Sequence, residues 1–165
     1  MRHRVALGLL AIAAVVAIDQ AVKIWLLFSF DLETRGVVRL LPFLDLVSVW
    51  NTGISYGLFP QDGPVGRWVL LGVKVIVVIL LATWMVRAKT RLTTIALGLI
   101  IGGAIGNAID RLTFGAVFDF VLFHITTASF SFRWYVFNLA DVAIVAGVFG
   151  LLYETLKPAS AVKAP

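Results

Sequence analysis

Four long apolar stretches constrain this chain more than any other feature of its sequence. They cover about residues 5–28, 65–86, 92–109 and 135–156. Because a helix rises about 1.5 Å per residue, about 20 apolar residues cross the ~30 Å hydrocarbon layer of a membrane. Hydrophobic residues make up 61% of the chain and charged residues only 14%, far from the composition of a soluble domain. The sequence therefore predicts one integral membrane domain over residues 1–165, with four transmembrane helices.

The basic residues beside these stretches predict how the helices are oriented. Arg2 and Arg4 precede the first span, and Lys157 and Lys163 follow the fourth. Between the second span and the third lie Arg87, Lys89 and Arg91. Cytoplasmic loops of membrane proteins carry an excess of Lys and Arg, so both termini are predicted to be cytoplasmic, with outer loops at about 29–64 and 111–134. The first stretch is longer than the apolar part of a signal peptide, which favours a retained helix.

The two outer loops are rich in residues typical of β-strands. Residues 36–50 contain many Val and Leu, while 117–125 and 129–137 are β-branched or aromatic. Residues 126–128 form a predicted turn between the last two segments, giving a hairpin or short strands. The predicted fold class is thus an all-α membrane protein of four transmembrane helices, with a small β-rich element in its outer loops.

Glycines recur at every fourth position of the third span, at Gly98, Gly102 and Gly106. This spacing places them on one face of a helix, where they let a neighbouring helix approach closely. We predict a packing role for them rather than a role in ligand binding.

Polar residues from five separate segments reach a similar predicted depth near the outer membrane boundary. They are Asp19 in the first span, Asn107 and Asp110 at the end of the third, Asn138 and Asp141 at the start of the fourth, and Asn51 and Asp119 in the loops. A carboxylate beside a bilayer is costly, so such residues are functional candidates. The pattern predicts a polar site at the outer boundary, with carboxylates as its reactive groups.

Several of these residues also have a purely structural interpretation. Asp19 and Lys23 stand at positions i and i+4, a spacing that favours an ion pair on one helix face. Asn138 and Asp141 match a helix start, with Asn at the N-cap and an acid at the third helical position. Taken alone, that capping pattern favours a structural role for Asp141 over a catalytic one.

Other kinds of chemistry find little support in the sequence. The chain has no cysteine, and its only histidines are His3 and His124. His124 has no nearby second ligand, so it is interpreted as a hydrogen-bonded interfacial residue, and neither a metal site nor a cofactor is predicted. The net charge of +5 is explained by membrane orientation, and no nucleic-acid partner is predicted.

Five motifs occur in a fixed order along the chain. They are DQAVK from Asp19, NTGISYG from Asn51, GGAIGNAIDR from Gly102, VFDF from Val117 and FNLAD from Phe137. Each motif is weak alone, but together and in this order they resemble the bacterial lipoprotein signal peptidases, or type II signal peptidases. The resemblance runs from Asp19 to Asp141 and includes the chain length and the four spans.

This resemblance implies an aspartic protease of the bacterial inner membrane, with its active site at the outer leaflet. Its substrates would be prolipoproteins, cut before a cysteine that already carries diacylglycerol, and its other partners membrane lipids and cyclic peptide antibiotics of the globomycin type. It implies Asp119 and Asp141 as the catalytic pair. The residues implied near the substrate are Asn51, Gly53, Asn107, Arg111, Asn138 and Ala140, and those implied to hold the site are Asp19, Lys23 and Asp110.

Two rival functions remain open from the residues alone. A small proton-coupled transporter would also place carboxylates among helices, although transport sites usually lie near the bilayer midplane. A non-catalytic lipid-binding protein would explain the aromatic residues of the loops but not the paired aspartates. The sequence also leaves open which aspartate would act as base and which as acid.

Overall fold

The computed structural model describes residues 2–53, 64–127 and 129–156 of the chain. Its helices are α1 (Arg2–Ile24), which continues into a π-helical turn (Trp25–Ser29), α2 (Leu32–Arg35), α3 (Pro64–Arg87), α4 (Arg91–Thr113) and α5 (Leu139–Leu156). Its strands are β1 (Val38–Leu41), β2 (Leu44–Asn51), β3 (Val117–Thr126) and β4 (Ser131–Arg133). The fold is therefore mostly helical with a small sheet, as predicted.

Three helical segments are long and apolar enough to cross a membrane: His3–Ser29, Arg91–Thr113 and Leu139–Leu156. They confirm the spans predicted at 5–28 and 92–109, and they move the start of the last span from residue 135 to Leu139. Over the predicted span 65–86 the chain is helical as α3, but the apolar helix found among the described residues covers only Val75–Arg87. A fourth crossing therefore stays a prediction.

Helix α4 is the centre of the bundle, because it packs against α1, α3 and α5. Its glycines permit this, as predicted. A Cβ atom at Gly98 would lie 2.6 Å from the carbonyl oxygen of Gly8 on α1, and one at Gly102 would lie 2.9 Å from the Cβ of Val15. On another face of α4, a Cβ at Gly103 would collide with the carbonyl oxygen of Ala140 at the start of α5. Only glycine allows these helix approaches.

The strands form one antiparallel sheet in the order β1-β2-β3-β4. The predicted hairpin is present, although β4 is shorter than the segment 129–137 and the turn residue Ala128 lies outside the described residues. Residues 134–136 leave the sheet, and Phe137 then pairs with Val121 of β3. The aromatic stretch that hydropathy assigned to the last span thus belongs to the sheet side of the molecule.

An apolar cluster holds the sheet on the carboxyl end of α1. It consists of Leu26, Leu32, Phe118 and Phe120, all buried. Two of its members come from β3, where they flank Asp119 in the sequence. Because side chains alternate between the faces of a strand, burying these phenylalanines turns the Asp119 side chain to the opposite face.

The two ends of the helical bundle differ in chemistry. At one end, Arg4 donates a hydrogen bond to the carbonyl oxygen of Lys89, so the amino end of α1 lies beside the connection between α3 and α4. The other end holds the ends of α1 and α4 and the start of α5. That end carries buried polar side chains: Asp19, Lys23, Asn107, Asp110, Arg111 and Asn138.

Candidate active site

Two carboxylates from different elements line the same cleft at the polar end of the bundle. Asp119 comes from β3, and Asp141 is the third residue of α5. The cleft has a volume of about 640 Å³, which is typical of a site for a small molecule or a peptide segment. Asp119 is only 3% exposed, and it also borders an adjoining cleft of about 480 Å³ above the sheet.

Asn138 joins the two aspartates. Its side-chain Nδ2 donates to Asp119 Oδ1 over 2.5 Å, and its backbone N–H donates to Asp141 Oδ2 over 3.2 Å. In return, its Oδ1 accepts the backbone N–H of Asp141 over 3.0 Å. The reciprocal pair with Asp141 is the capping arrangement that the sequence predicted at the start of α5. The same residues therefore cap the start of α5 and connect the two carboxylates.

Asn107 of α4 supports Asp141 from the other side. Its Nδ2 donates to Asp141 Oδ1 over 2.8 Å. Its Oδ1 accepts Asn138 Nδ2 over 3.1 Å and the Lys23 ammonium over 3.3 Å. An ammonium group can only donate, so the oxygen of Asn107 must face Lys23 and its NH₂ group must face Asp141.

Asn51 supports Asp119 in the same way. Its Nδ2 donates to Asp119 Oδ2 over 3.1 Å, and its Oδ1 accepts the backbone N–H of Gly53 over 3.0 Å. The carbonyl oxygen of Gly53 in turn accepts Arg111 Nη2 over 2.7 Å. Arg111 thus anchors the end of β2, and through it the amide that faces Asp119.

The side-chain amides of Asn51, Asn107 and Asn138 are oriented in the same way. The oxygen of each amide is occupied by a donor, so each NH₂ group is free to face a carboxylate. Hydrogen bonds donated to a carboxylate favour its ionised form, whereas burial and a second nearby carboxylate disfavour it. The site therefore stabilises one negative charge well and two poorly.

The pKa of the Asp119 carboxyl reflects these opposing effects. Burial raises this pKa from 3.8 to about 6, and the nearby charge of Asp141 acts in the same direction. The hydrogen bonds from Asn51 and Asn138 and the charge of Lys23 oppose this rise. A carboxyl group with such a pKa can hold a proton under conditions in which an ordinary aspartate has lost it.

Behind the cleft lies a buried ion cluster of Asp19, Lys23 and Asp110, each no more than 2% exposed. Lys23 Nζ lies 2.9 Å from Asp19 Oδ2 and 2.7 Å from Asp110 Oδ2. Asp19 Oδ1 also accepts the backbone N–H of Ala140, and Asp110 Oδ2 that of Phe118. The predicted pair of Asp19 and Lys23 is present, and Ala140 reaches the cluster through its backbone.

Two polar residues, Gln20 and Asp45, were not predicted from the sequence to take part in polar contacts. Gln20 Nε2 lies 2.9 Å from Asp110 Oδ1 and 3.2 Å from Asp19 Oδ2, so it belongs to the buried cluster. A lone uncharged amide within an apolar helix, next to an acid, was the available signal. On the sheet, Oδ2 of the buried Asp45 lies 3.0 Å from His124 Nε2, but this nitrogen makes no hydrogen bond within the described residues, unlike the prediction for the interfacial histidine.

The structure thus brings the predicted site residues into one neighbourhood. The cleft is lined by Asp119, Asp141, Asn107, Asn51 and Arg111. Asn138 and Gly53 contact these residues, and Asp19, Lys23, Asp110 and Ala140 lie behind them. Within residues 2–53, 64–127 and 129–156, no group of three or more His, Cys, Asp or Glu side chains is arranged to hold a metal ion. The arrangement places two carboxylates at one cleft, and is therefore suited to acid–base chemistry.

Comparison with known proteins gives consistent matches. Residues 11–157 match the model of a family described as signal peptidase (SPase) II. The chain is 61% identical over 158 residues to the lipoprotein signal peptidase of Nitrobacter hamburgensis, with 96% of each chain covered. It is 57% identical over 161 residues to a lipoprotein signal peptidase of Rhodopseudomonas palustris, with 98% of each chain covered.

Two solved structures, each described as a bacterial membrane enzyme, share the fold. One matches with a TM-score of 0.77 and 25% identity, and covers 96% of this chain and 92% of its own. The other matches with a TM-score of 0.73 and 26% identity, and covers 92% of this chain and 94% of its own. These comparisons give no support to the transporter alternative.

Proposed function

This chain belongs to the signal peptidase II family and removes signal peptides from lipoprotein precursors, and we propose that it does so as an aspartic endopeptidase. Asp119 and Asp141 are the proposed catalytic groups. The observation that carries the proposal is that Asn138 contacts both carboxylates at the wall of one cleft. Two carboxylates held this close share one proton and titrate as a pair, which supplies an acid and a base together.

The surroundings of the two aspartates support different roles for them. Asp119 can hold the proton, because burial raises the pKa of its carboxyl to about 6. Asp141 stands in the first turn of α5, where the helix dipole favours a negative charge. We therefore propose Asp141 as the general base and Asp119 as the general acid.

In the proposed reaction, the Asp141 carboxylate takes a proton from water while the water oxygen attacks the scissile carbonyl carbon. Asp119 gives its proton to the carbonyl oxygen, so a neutral tetrahedral diol forms. When the diol collapses, the C–N bond breaks and the leaving nitrogen takes the proton from Asp141. A hydroxyl proton of the diol returns to Asp119, which restores the starting state.

The cleft also fits an apolar substrate. Apolar residues of α5 form its wall below Asp141: Val142, Ile144, Val145, Ala146 and Phe149. Val145 and Phe149 are well exposed, so this wall is open on the side that would face lipid. We propose that the apolar part of a prolipoprotein enters along this wall and brings the bond before the diacylglyceryl-modified cysteine to the aspartates.

The proposed location is the bacterial inner membrane, with both termini in the cytoplasm and the active site at the outer leaflet. The basic residues at the end of the bundle opposite the site support this orientation. The same cleft is the proposed binding site for cyclic peptide antibiotics of the globomycin type, because an apolar wall beside paired aspartates suits a peptide-like inhibitor as well as a peptide substrate.

Cleavage of a purified diacylglyceryl-modified prolipoprotein in detergent tests the proposal. Mass spectrometry should find a released signal peptide that ends at the residue before the modified cysteine, and the same precursor without its lipid should be cut much more slowly. Asp119→Asn and Asp141→Asn should stay folded and release no measurable peptide. Turnover at the wild-type rate by either variant would remove that residue from the catalytic pair.

A further inference from the structure

The adjoining cleft of about 480 Å³, here called the smaller cleft, continues the active-site cleft past the aspartates. Five residues line both clefts: Asn51, Asp119, Trp134, Tyr135 and Val136. Beyond them the walls differ, because the active-site cleft runs along α5, whereas the smaller cleft is lined by residues of β2, β3 and β4. A peptide bound across the aspartates would therefore occupy one cleft on each side of its scissile bond.

The two clefts suit different parts of a prolipoprotein. The core of a signal peptide is apolar, and it matches the wall formed by Val142, Val145 and Phe149 of α5. The chain that follows the modified cysteine belongs to the mature lipoprotein and has to leave the membrane. The smaller cleft lies on the sheet rather than among the helices, so it suits the first residues of this mature segment.

Arg133 gives the smaller cleft a positive charge. It is the last residue of β4 and is exposed, and its guanidinium makes no ion pair or hydrogen bond to the described residues. The other charged residue among the described residues of this cleft is Asp119. Asp119 is only 3% exposed, is hydrogen-bonded to Asn51 and Asn138, and holds a proton in the proposed reaction. The accessible charge of the smaller cleft is therefore that of Arg133.

The apolar walls of the smaller cleft strengthen the effect of this charge. Val49 and Leu122 line the cleft together with Trp134. Charges interact more strongly beside such low-dielectric walls than in open water. A carboxylate of a bound peptide could accept two hydrogen bonds from the guanidinium, whereas an ammonium group would be repelled by it.

We infer that Arg133 is a specificity-determining residue, which favours prolipoproteins that carry an acidic residue among the first positions after the modified cysteine and disfavours those with a basic residue there. This inference rests on the proposed function, because the aspartates fix where the scissile bond lies between the two clefts. It adds to that function a binding subsite for the mature part of the substrate and a charge preference at that subsite.

A substrate series tests the inference with the wild-type enzyme alone. A diacylglyceryl-modified prolipoprotein carries Asp, Asn or Lys in turn at the first, second or third position after the cysteine, with neutral residues at the other two. We expect kcat/KM to be about three- to tenfold higher for Asp than for Lys at one or more positions, with Asn between them. High salt should weaken this preference. Equal kcat/KM values for Asp, Asn and Lys at all three positions would overturn the inference.

Variants of Arg133 test whether the preference comes from this side chain. Arg133→Gln should remove the preference, and Arg133→Glu should reverse it, so that the Lys substrates are cut faster than the Asp substrates. Both variants should fold, because the side chain is exposed. Arg39→Gln is the matched control, since Arg39 is another exposed arginine of the sheet but does not line the smaller cleft, and it should keep the preference. An unchanged preference in Arg133→Glu, or the same loss in Arg39→Gln, would overturn the inference.

The Asn substrates separate this inference from the proposed catalytic pair. Arg133→Gln and Arg133→Glu should still cut them, whereas Asp119→Asn should not. A folded Arg133→Gln variant that cut no substrate at all would show that Arg133 is needed for cleavage itself, and this would overturn its role in selection. Cleavage by Asp119→Asn would refute the proposed dyad, and the charge preference of the wild-type enzyme would still decide the inference.

Discussion

Two clusters in this protein each contain a buried aspartate beside a basic side chain, but the two clusters differ in their hydrogen bonds. Asp19, Lys23 and Asp110 lie between α1 and α4, and all four carboxylate oxygens accept a hydrogen bond or ion pair. On the sheet, Asp45 Oδ2 lies 3.0 Å from His124 Nε2, but neither Asp45 Oδ1 nor His124 Nε2 makes a hydrogen bond within the described residues. The nearest cation to that oxygen is the exposed Arg39, 3.8 Å away.

The difference in hydrogen bonding shows which of the two clusters is connected to the proposed catalytic aspartates. Burying charged groups is costly unless every polar atom is paired, and the first cluster meets that condition. Its hydrogen bonds continue into Phe118, Ala140 and Asn107, and so reach both aspartates of the cleft. The contacts of the Asp45 cluster end within the sheet. We therefore expect changes in the first cluster and in the dyad to affect turnover, and changes at Asp45 to affect only stability.

The largest expected difference is between the dyad and Asp45. Asp119→Asn and Asp141→Asn should each lower kcat/KM by about 10³-fold or more, because each removes a proton donor or acceptor of the reaction. Asp45→Asn makes the same chemical change at a buried aspartate and should stay within about threefold of wild type. Initial rates of prolipoprotein cleavage measure all three. Equal losses in the three variants would show that any buried charge has the same effect.

Asn138 allows its two roles to be separated. Asn138→Ser keeps an oxygen that can cap α5, but it removes the NH₂ group that bonds Asp119 and Asn107. We expect kcat to fall about 10- to 100-fold with little change in melting temperature. Steady-state kinetics and thermal unfolding of the same sample provide the two values. A variant that melted much earlier yet kept its kcat would make Asn138 a cap and nothing more.

Asn51 is predicted to control the acidity of Asp119. Its hydrogen bond to Asp119 Oδ2 lowers the pKa of that carboxyl, so Asn51→Ala should raise it. The pH above which activity is lost should then move upward, with a fall of about 10-fold in the maximal rate. Rates measured from pH 4 to 9 report this shift. A loss of activity at the same pH as in wild type, or at a lower one, would contradict the assignment of Asp119 as the acid.

The smallest expected effect concerns the packing around the ion cluster. A Cβ at Gly106 would lie 2.8 Å from Asp19 Oδ2, so Gly106→Ala must displace that carboxylate. We expect a loss of about 1–3 kcal/mol in stability and a fall of a few-fold in kcat. Gly72→Ala on α3 is the control, since a Cβ there meets nothing within 4 Å. Thermal unfolding and cleavage rates should separate the two variants, and equal values would show that the space beside Asp19 has no importance.

The helices were largely predictable from the sequence, because hydropathy reports how many residues lie in lipid or in a helical core. Hydropathy does not distinguish an apolar helix from an aromatic strand, so the last span was predicted to begin at residue 135 instead of Leu139. The capping pattern of Asn138 and Asp141 instead indicated the correct start of the helix, at Leu139. Local rules of this kind succeed where the deciding interaction spans only three residues.

The site was predictable as a set of residues but not as a geometry. The five motifs named the residues, yet nothing local indicates that Asn51 pairs with Val117 across the sheet, or that a bulge between Leu46 and Val49 shifts the register. Those contacts depend on long-range packing of β2 on β3. Gln20 and Asp45 were missed for the same reason, because their partners are distant in sequence. The catalytic roles of Asp119 and Asp141 stay predictions.

The pH dependence of kcat/KM tests most directly the central claim that two aspartates share one proton. Because the raised pKa of Asp119 is about 6 and its protonated form is the acid, kcat/KM of the free enzyme should fall as the pH rises through about 6. A kcat/KM that is constant from pH 4 to 9, or that rises above pH 7, would contradict the account.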